Sequence, residues 1–101
     1  MKALDKLAAS GTLTPRQRGW VERLEGDPED VLTLAQVAKV FGITLGSART
    51  NYARARQNRA QGLPKPTDMP MPDVQLGRAI GWRRSTLRAW AMRRIVEGRA
   101  I

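Results

Sequence analysis

The sequence predicts a mostly α-helical fold: a helix-turn-helix, a proline-rich strap, a short two-stranded β-hairpin and a C-terminal helix. Three observations predict it. Apolar residues recur at helical spacing on both sides of a three-residue interval, Gly42 to Thr44, and a threonine able to cap stands ahead of each run. Pro64, Pro66, Pro70 and Pro72 forbid helix over Leu63 to Pro72 and favour extended chain. Beyond them, Val74 to Arg78 and Gly81 to Arg84 can pair around Ala79 and Ile80, with Gly77 and Gly81 supplying turn freedom.

Each element follows from local chemistry. Met1 to Ser10 carries Leu4, Leu7 and Ala8 at helical spacing and stops at Gly11, which makes a short helix or a frayed arm. Thr14, Pro15 and Gln17 supply an N-cap, a proline at the first helical position and a capping-box partner. The helix they open sets Trp20, Val21 and Leu24 on one face and ends near Gly26, before an acidic loop at Asp27 to Asp30. Thr33 and Gln36 repeat the capping pattern ahead of Leu34, Val37, Ala38 and Phe41, and Gly42 ends that helix. Thr44 then caps a longer helix to about Ala60, with Ala48, Tyr52 and Ala55 inward and Gly62 as its stop. Ser85 can cap the last helix, whose buried stripe is Leu87, Trp90, Ala91 and Ile95. The parts are therefore 1–31, an arm and helix; 32–62, the helix-turn-helix; 63–73, the strap; and 74–101, the hairpin and last helix. A chain of 101 residues holds them in one compact domain with a thin core.

Composition narrows the function. The chain has no histidine and no cysteine, which removes the commonest general base, thiolate nucleophiles, disulfides and the commonest metal ligands. Glu22, Glu25, Asp27, Glu29 and Asp30 show neither metal-ligand spacing nor a partner base, and are expected as solvated surface. No enzyme, metal or cofactor is expected. No apolar run is long enough to span a bilayer and no secretory leader is evident, so a cytoplasmic protein is expected. The net charge of +9 points to a polyanion. That excess has an address: residues 1–34 are nearly neutral, whereas 35–101 carry thirteen basic side chains, all arginine except Lys39 and Lys65, against Asp68, Asp73 and Glu97. Guanidinium forks match phosphate oxygens and guanine edges, which a merely solubilising surface does not require.

The residues also resemble known DNA-binding families. Thr14 to Gln57, within LTPRQRGWVERLEG, LAQVAKVFGIT and LGSARTNYARARQ, resembles region 4 of bacterial sigma factors and the related LuxR-type domain, with Ala48 and Tyr52 at two core positions. Downstream, LPKP followed by QLGRAIGWRRSTLRAW is similar to the wing and final helix of small MerR-like excisionases and phage regulators: Pro-x-Pro, Gly-Arg, Trp-Arg, Ser-Thr-aliphatic and Trp. Residues 32–92 read as one winged helix-turn-helix in that comparison. The resemblance implies a sequence-specific binder of double-stranded DNA from a phage or mobile element, acting as transcription repressor or excisionase in the bacterial cytoplasm, associated with the nucleoid. Self-association as a dimer or a cooperative array on DNA fits it; a small-molecule effector does not. The alternative is a DNA-packaging assembly protein, because LTPRQRGWVERL is also similar to some small terminase subunits.

A recognition helix exposes short polar and forked side chains toward base edges while its opposite side is pinned to the core. With Ala48 and Tyr52 inward, the outward arc holds Gly46, Ser47, Thr50, Ala53, Arg54 and Gln57. Ser47, Thr50 and Arg54 are the base-edge candidates. Thr44, Arg49, Arg56 and Lys39 are the phosphate candidates, with Arg59 and Lys65 weaker. The excisionase resemblance places Arg78, Arg83 and Arg84 on a wing, where they would reach the adjacent groove or backbone. Trp20, Trp82 and Trp90 each lie among apolar residues and are expected in the core, as are Met69 and Met71.

Overall fold

The computed structural model describes residues 13–100, so the helix or arm expected over residues 1–10 lies outside the described residues. The element order is α1 (Pro15–Arg23), β1 (Val31–Thr33), α2 (Leu34–Phe41), α3 (Leu45–Ala60), β2 (Val74–Leu76), β3 (Ala79–Arg83) and α4 (Arg84–Ala100). Both expected capping boxes form. Thr14 accepts from the Gln17 N–H while Gln17 returns to the Thr14 N–H, and Thr33 and Gln36 do the same. Gly42, at φ 67°, ends α2 in the left-handed region that glycine enters at least cost, and Thr44 caps α3 through the Ser47 N–H at 3.0 Å. A three-residue turn therefore joins the two helices, as the spacing predicts.

The structure departs from expectation in three ways, the first two in the sheet. It has three antiparallel strands in the order β1-β3-β2, not two, because Val31, Leu32 and Thr33 pair with Arg83, Trp82 and Gly81. A two-stranded ribbon is marginal alone, and this third strand carries Leu32 into the core. Second, the hairpin turn lies at Gly77 and Arg78, not at Ala79 and Ile80, since Leu76 pairs with Ala79. Gly77 has φ 59° and, among the described residues, only glycines have positive φ, so the chain reverses where a glycine can lead a two-residue turn. Gly81, expected to loosen the turn, is instead buried mid-strand. A Cβ there would stand 2.5 Å from Val31 Cγ1.

Third, Ser85 does not cap α4. The helix starts at Arg84, and the Arg84 and Ser85 N–H groups donate to the Asp30 and Pro28 carbonyls at 2.7 and 3.0 Å. The acidic loop thus supplies the acceptors that a helix start requires.

One core draws on all parts of the described chain. Trp20 meets Phe41 with ring centroids 5.1 Å apart, Phe41 meets Trp90 at 4.7 Å, and half-buried Tyr52 meets Trp82 edge-on at 5.7 Å. All three tryptophans are buried, as expected. Met69 is buried too, but Met71 is 66 % exposed and fills nothing.

The strap is held by its carbonyls. Trp90 Nε1 donates to Thr67 O at 3.0 Å, Arg59 Nη1 to Met69 O at 2.8 Å and Trp82 Nε1 to Pro70 O at 2.8 Å. Asp68 accepts from the Asn58 amide and from the Lys65 N–H. Burial works to raise this carboxyl. The two hydrogen bonds, with the Lys65 and Arg59 charges, outweigh it and hold Asp68 below the usual carboxylate value.

Candidate nucleic-acid interface

α3 is the element that combines a buried seam with an open polar face. Ala48 and Ala55 are fully buried and Tyr52 half-buried, so the opposite side is fixed outward. Gly46, Ser47, Thr50, Ala53, Arg54 and Gln57 are all exposed on it, the arc that the spacing predicts. Two hydroxyls are partly engaged. Thr50 Oγ1 donates to Gly46 O at 3.1 Å, and Thr44 Oγ1 donates to Ser47 Oγ at 3.1 Å. Each keeps lone pairs for a further donor, and Arg54 has no partner among the described residues.

Cations stand along both flanks of this helix. On one side, Arg56, Arg59 and Arg78 line a groove between α3 and the hairpin, floored by Tyr52, Ile80 and Pro72; the Arg56 guanidinium lies 5.6 Å from the Tyr52 ring centroid. On the other side, Arg16 of α1 and Arg94 of α4 join Thr44, Ser47, Thr50 and Arg54 around a shallow hollow at the α3 N-terminus. Arg49 and Lys39 are exposed but line neither depression.

The structure separates the wing arginines. Arg78 is exposed at the hairpin tip with no partner among the described residues. Arg83 instead pairs with Glu29 at 3.3 Å. Arg84 donates to Arg23 O at 3.2 Å and reaches Asp30 at 3.4 Å. Both are thus bound to the 23–30 segment, and the carboxylates expected as solvated surface hold them there. Further arginines are scaffold: Arg23 donates to Val40 O, Arg59 to Met69 O, and Arg88, 7 % exposed, to Leu24 O and Gly26 O.

Sequence reasoning passed over Arg16 and Arg94. The signal for Arg94 is its spacing, four residues after Trp90 and seven after Leu87, which sets a cation within the apolar stripe of α4. Its guanidinium lies 5.0, 5.1 and 5.7 Å from the Trp90, Trp20 and Phe41 ring centroids. Burial, and secondly the neighbouring Arg16 charge, lower its pKa from the ordinary arginine value.

Among the described residues, no group of three or more acidic, histidine or cysteine side chains could hold a metal ion, and no helix is long and apolar enough to cross a membrane. Comparison with protein-family models, curated proteins and solved structures finds no match to this chain.

Proposed function

We propose that this protein is a winged helix-turn-helix that binds double-stranded DNA sequence-specifically, with α3 in the major groove and the β2–β3 hairpin beside it. The observation that carries the reading is the disposition of charge about α3. A small-residue polar face with one forked side chain, Arg54, lies between Arg56 and Arg78 on one flank and Arg16 and Arg94 on the other. A helix in a major groove has a phosphate backbone on each side, so cations on both flanks are what docking needs, and the small residues between them permit close approach. The resemblance to excisionases and phage regulators supports the role: control of transcription or recombination in a phage or mobile element.

The test selects a target from random-sequence duplexes and compares two variants. Arg54→Ala should cost about 1 to 3 kcal/mol on the selected site and much less on random duplex, whereas Arg49→Ala should weaken both alike. Failure to enrich any sequence, or equal losses on both duplexes for Arg54→Ala, overturns sequence reading by α3.

A further inference from the structure

The arginines of this protein fall into two groups once their acceptors are followed. Arg23, Arg59, Arg84 and Arg88 each donate to one or more backbone carbonyls. Arg94 is more enclosed than an ordinary surface arginine, yet neither a carboxylate nor a carbonyl accepts from it among the described residues. Its contacts are with three aromatic rings. Cation–π contact stabilises the charge but satisfies no N–H group, so the donors of Arg94 have no protein acceptor among the described residues and stay open to a ligand.

Three further observations lie at or beside the same place. Arg16 also stands against Trp20, with its guanidinium 5.9 Å from that ring centroid, so two like charges share one aromatic ring. Trp20 itself is 5 % exposed and adjoins the hollow only through Arg16 and Arg94, which stand against its ring; its indole N–H finds no acceptor among the described residues. The hollow that Arg16 and Arg94 line also takes in Thr44 and Gly46 at the start of α3. There the Ser47 N–H is capped, while the Gly46 N–H has no acceptor among the described residues. Two neighbouring cations held without a counter-charge repel each other; a bound anion removes that repulsion and gives both guanidinium groups a charged acceptor.

We propose that the hollow bounded by Arg16, Arg94, Thr44 and Gly46 is a seat for a single phosphate group, occupied in the complex by a backbone phosphate of duplex DNA. This rests on the DNA-binding reading above. It adds an anchor built by α1 and α4, outside both the outward face of α3 and the hairpin. The planar fork of Arg94 can grip two phosphate oxygens, and the aromatic floor holds it in place before the anion arrives. Arg54 lies at the rim and remains a base reader.

The test has two arms, run on the full chain. The first titrates inorganic phosphate while following the Trp20 indole and Gly46 amide resonances; shifts confined to the hollow are expected, and Arg94→Met and Arg16→Met should remove them. The second measures salt dependence on duplex DNA. Each variant should flatten the log–log slope by about 1 and weaken target and random duplex equally, as loss of one phosphate contact does. Arg16 is exposed, so Arg16→Met carries the test if Arg94→Met melts early.

If the wild type binds duplex steeply but both variants keep its slope, and phosphate moves no resonance in the hollow, the seat is overturned and the DNA-binding reading stands. If phosphate shifts the resonances but the slopes are unchanged, the occupant is a free phosphate and the DNA assignment is overturned. If the wild type does not bind duplex at all, the functional reading falls, and the phosphate arm alone decides the seat: localised shifts keep it and their absence removes it.

Discussion

At the scale of single residues, an arginine's sequence identity says nothing about whether it serves the fold or a ligand; its acceptors do. Arg88 donates Nε and Nη2 to the Leu24 and Gly26 carbonyls, both at 2.8 Å, where α1 ends and the acidic loop begins. Arg88→Met keeps much of the volume but leaves two carbonyls without their donors. Charge-assisted hydrogen bonds of this kind contribute about 1.5 to 3 kcal/mol each, and the loss should be about 2 to 4 kcal/mol in a urea melt. Arg78→Ala at the exposed hairpin tip should change stability by less than about 0.5 kcal/mol. If Arg88→Met melts with the wild type, the carbonyl clamp is not structural. The distinction was partly legible. Arg88 precedes Ala91 and Ile95 by three and seven residues, so helical spacing sets it within the buried stripe, and a cation there must find an acceptor or a ring. The same spacing marks Arg84, three residues before Leu87 and seven before Ala91, and its largely enclosed side chain likewise reaches a carbonyl, that of Arg23.

At the scale of elements, the helices were legible and the sheet only in part, its hairpin expected and its third strand not, for a physical reason. Helix starts are written locally: Thr14 with Gln17 and Thr33 with Gln36 close their capping boxes within four residues, and Gly42 ends α2 wherever the tertiary fold puts it. A three-residue strand is too short for alternation to be read. Val31 to Thr33 becomes a strand because β3 lies beside it, a pairing across fifty residues. The same contact explains Gly81. It pairs with Thr33 on one side and Val74 on the other, and any side chain there would collide with Val31. Gly81→Ala is therefore expected to destabilise the protein by about 1 to 3 kcal/mol, the usual range for an overpacked site. Val31→Ala made together with it should recover part of that loss, and a double-mutant cycle measures the coupling. Additive effects would place the cause in the glycine's backbone and not in the collision.

At the scale of the whole molecule, net charge overstates the electrostatic footprint. A charge of +9 with thirteen basic residues after residue 34 suggests that the whole downstream half is available to a polyanion. In the folded chain, Arg59, Arg84 and Arg88 donate to backbone carbonyls and Arg83 pairs with Glu29. Those near α3 without such a partner are Arg49, Arg54, Arg56, Lys65, Arg78 and Arg94, and Arg16 of α1 joins them. If most of these meet phosphates, the log–log salt slope on duplex DNA should be about −4 to −5, since each contact contributes roughly 0.9. The clearest contrast comes from replacing Arg78, Arg83 and Arg84 together with alanine. Were the hairpin arginines equivalent, as a wing read from sequence alone implies, the slope would flatten by about 3. Of the three, only Arg78 has no partner among the described residues, so the flattening should be about 1. The same variant should also melt early, because Arg84 no longer reaches Arg23 O and Asp30. A single Arg78→Ala should reproduce the whole slope change without the lost stability. If it changes nothing while the triple variant flattens the slope by about 2, Arg83 and Arg84 leave the acidic loop when DNA binds, and the loop carboxylates hold them only in the free protein.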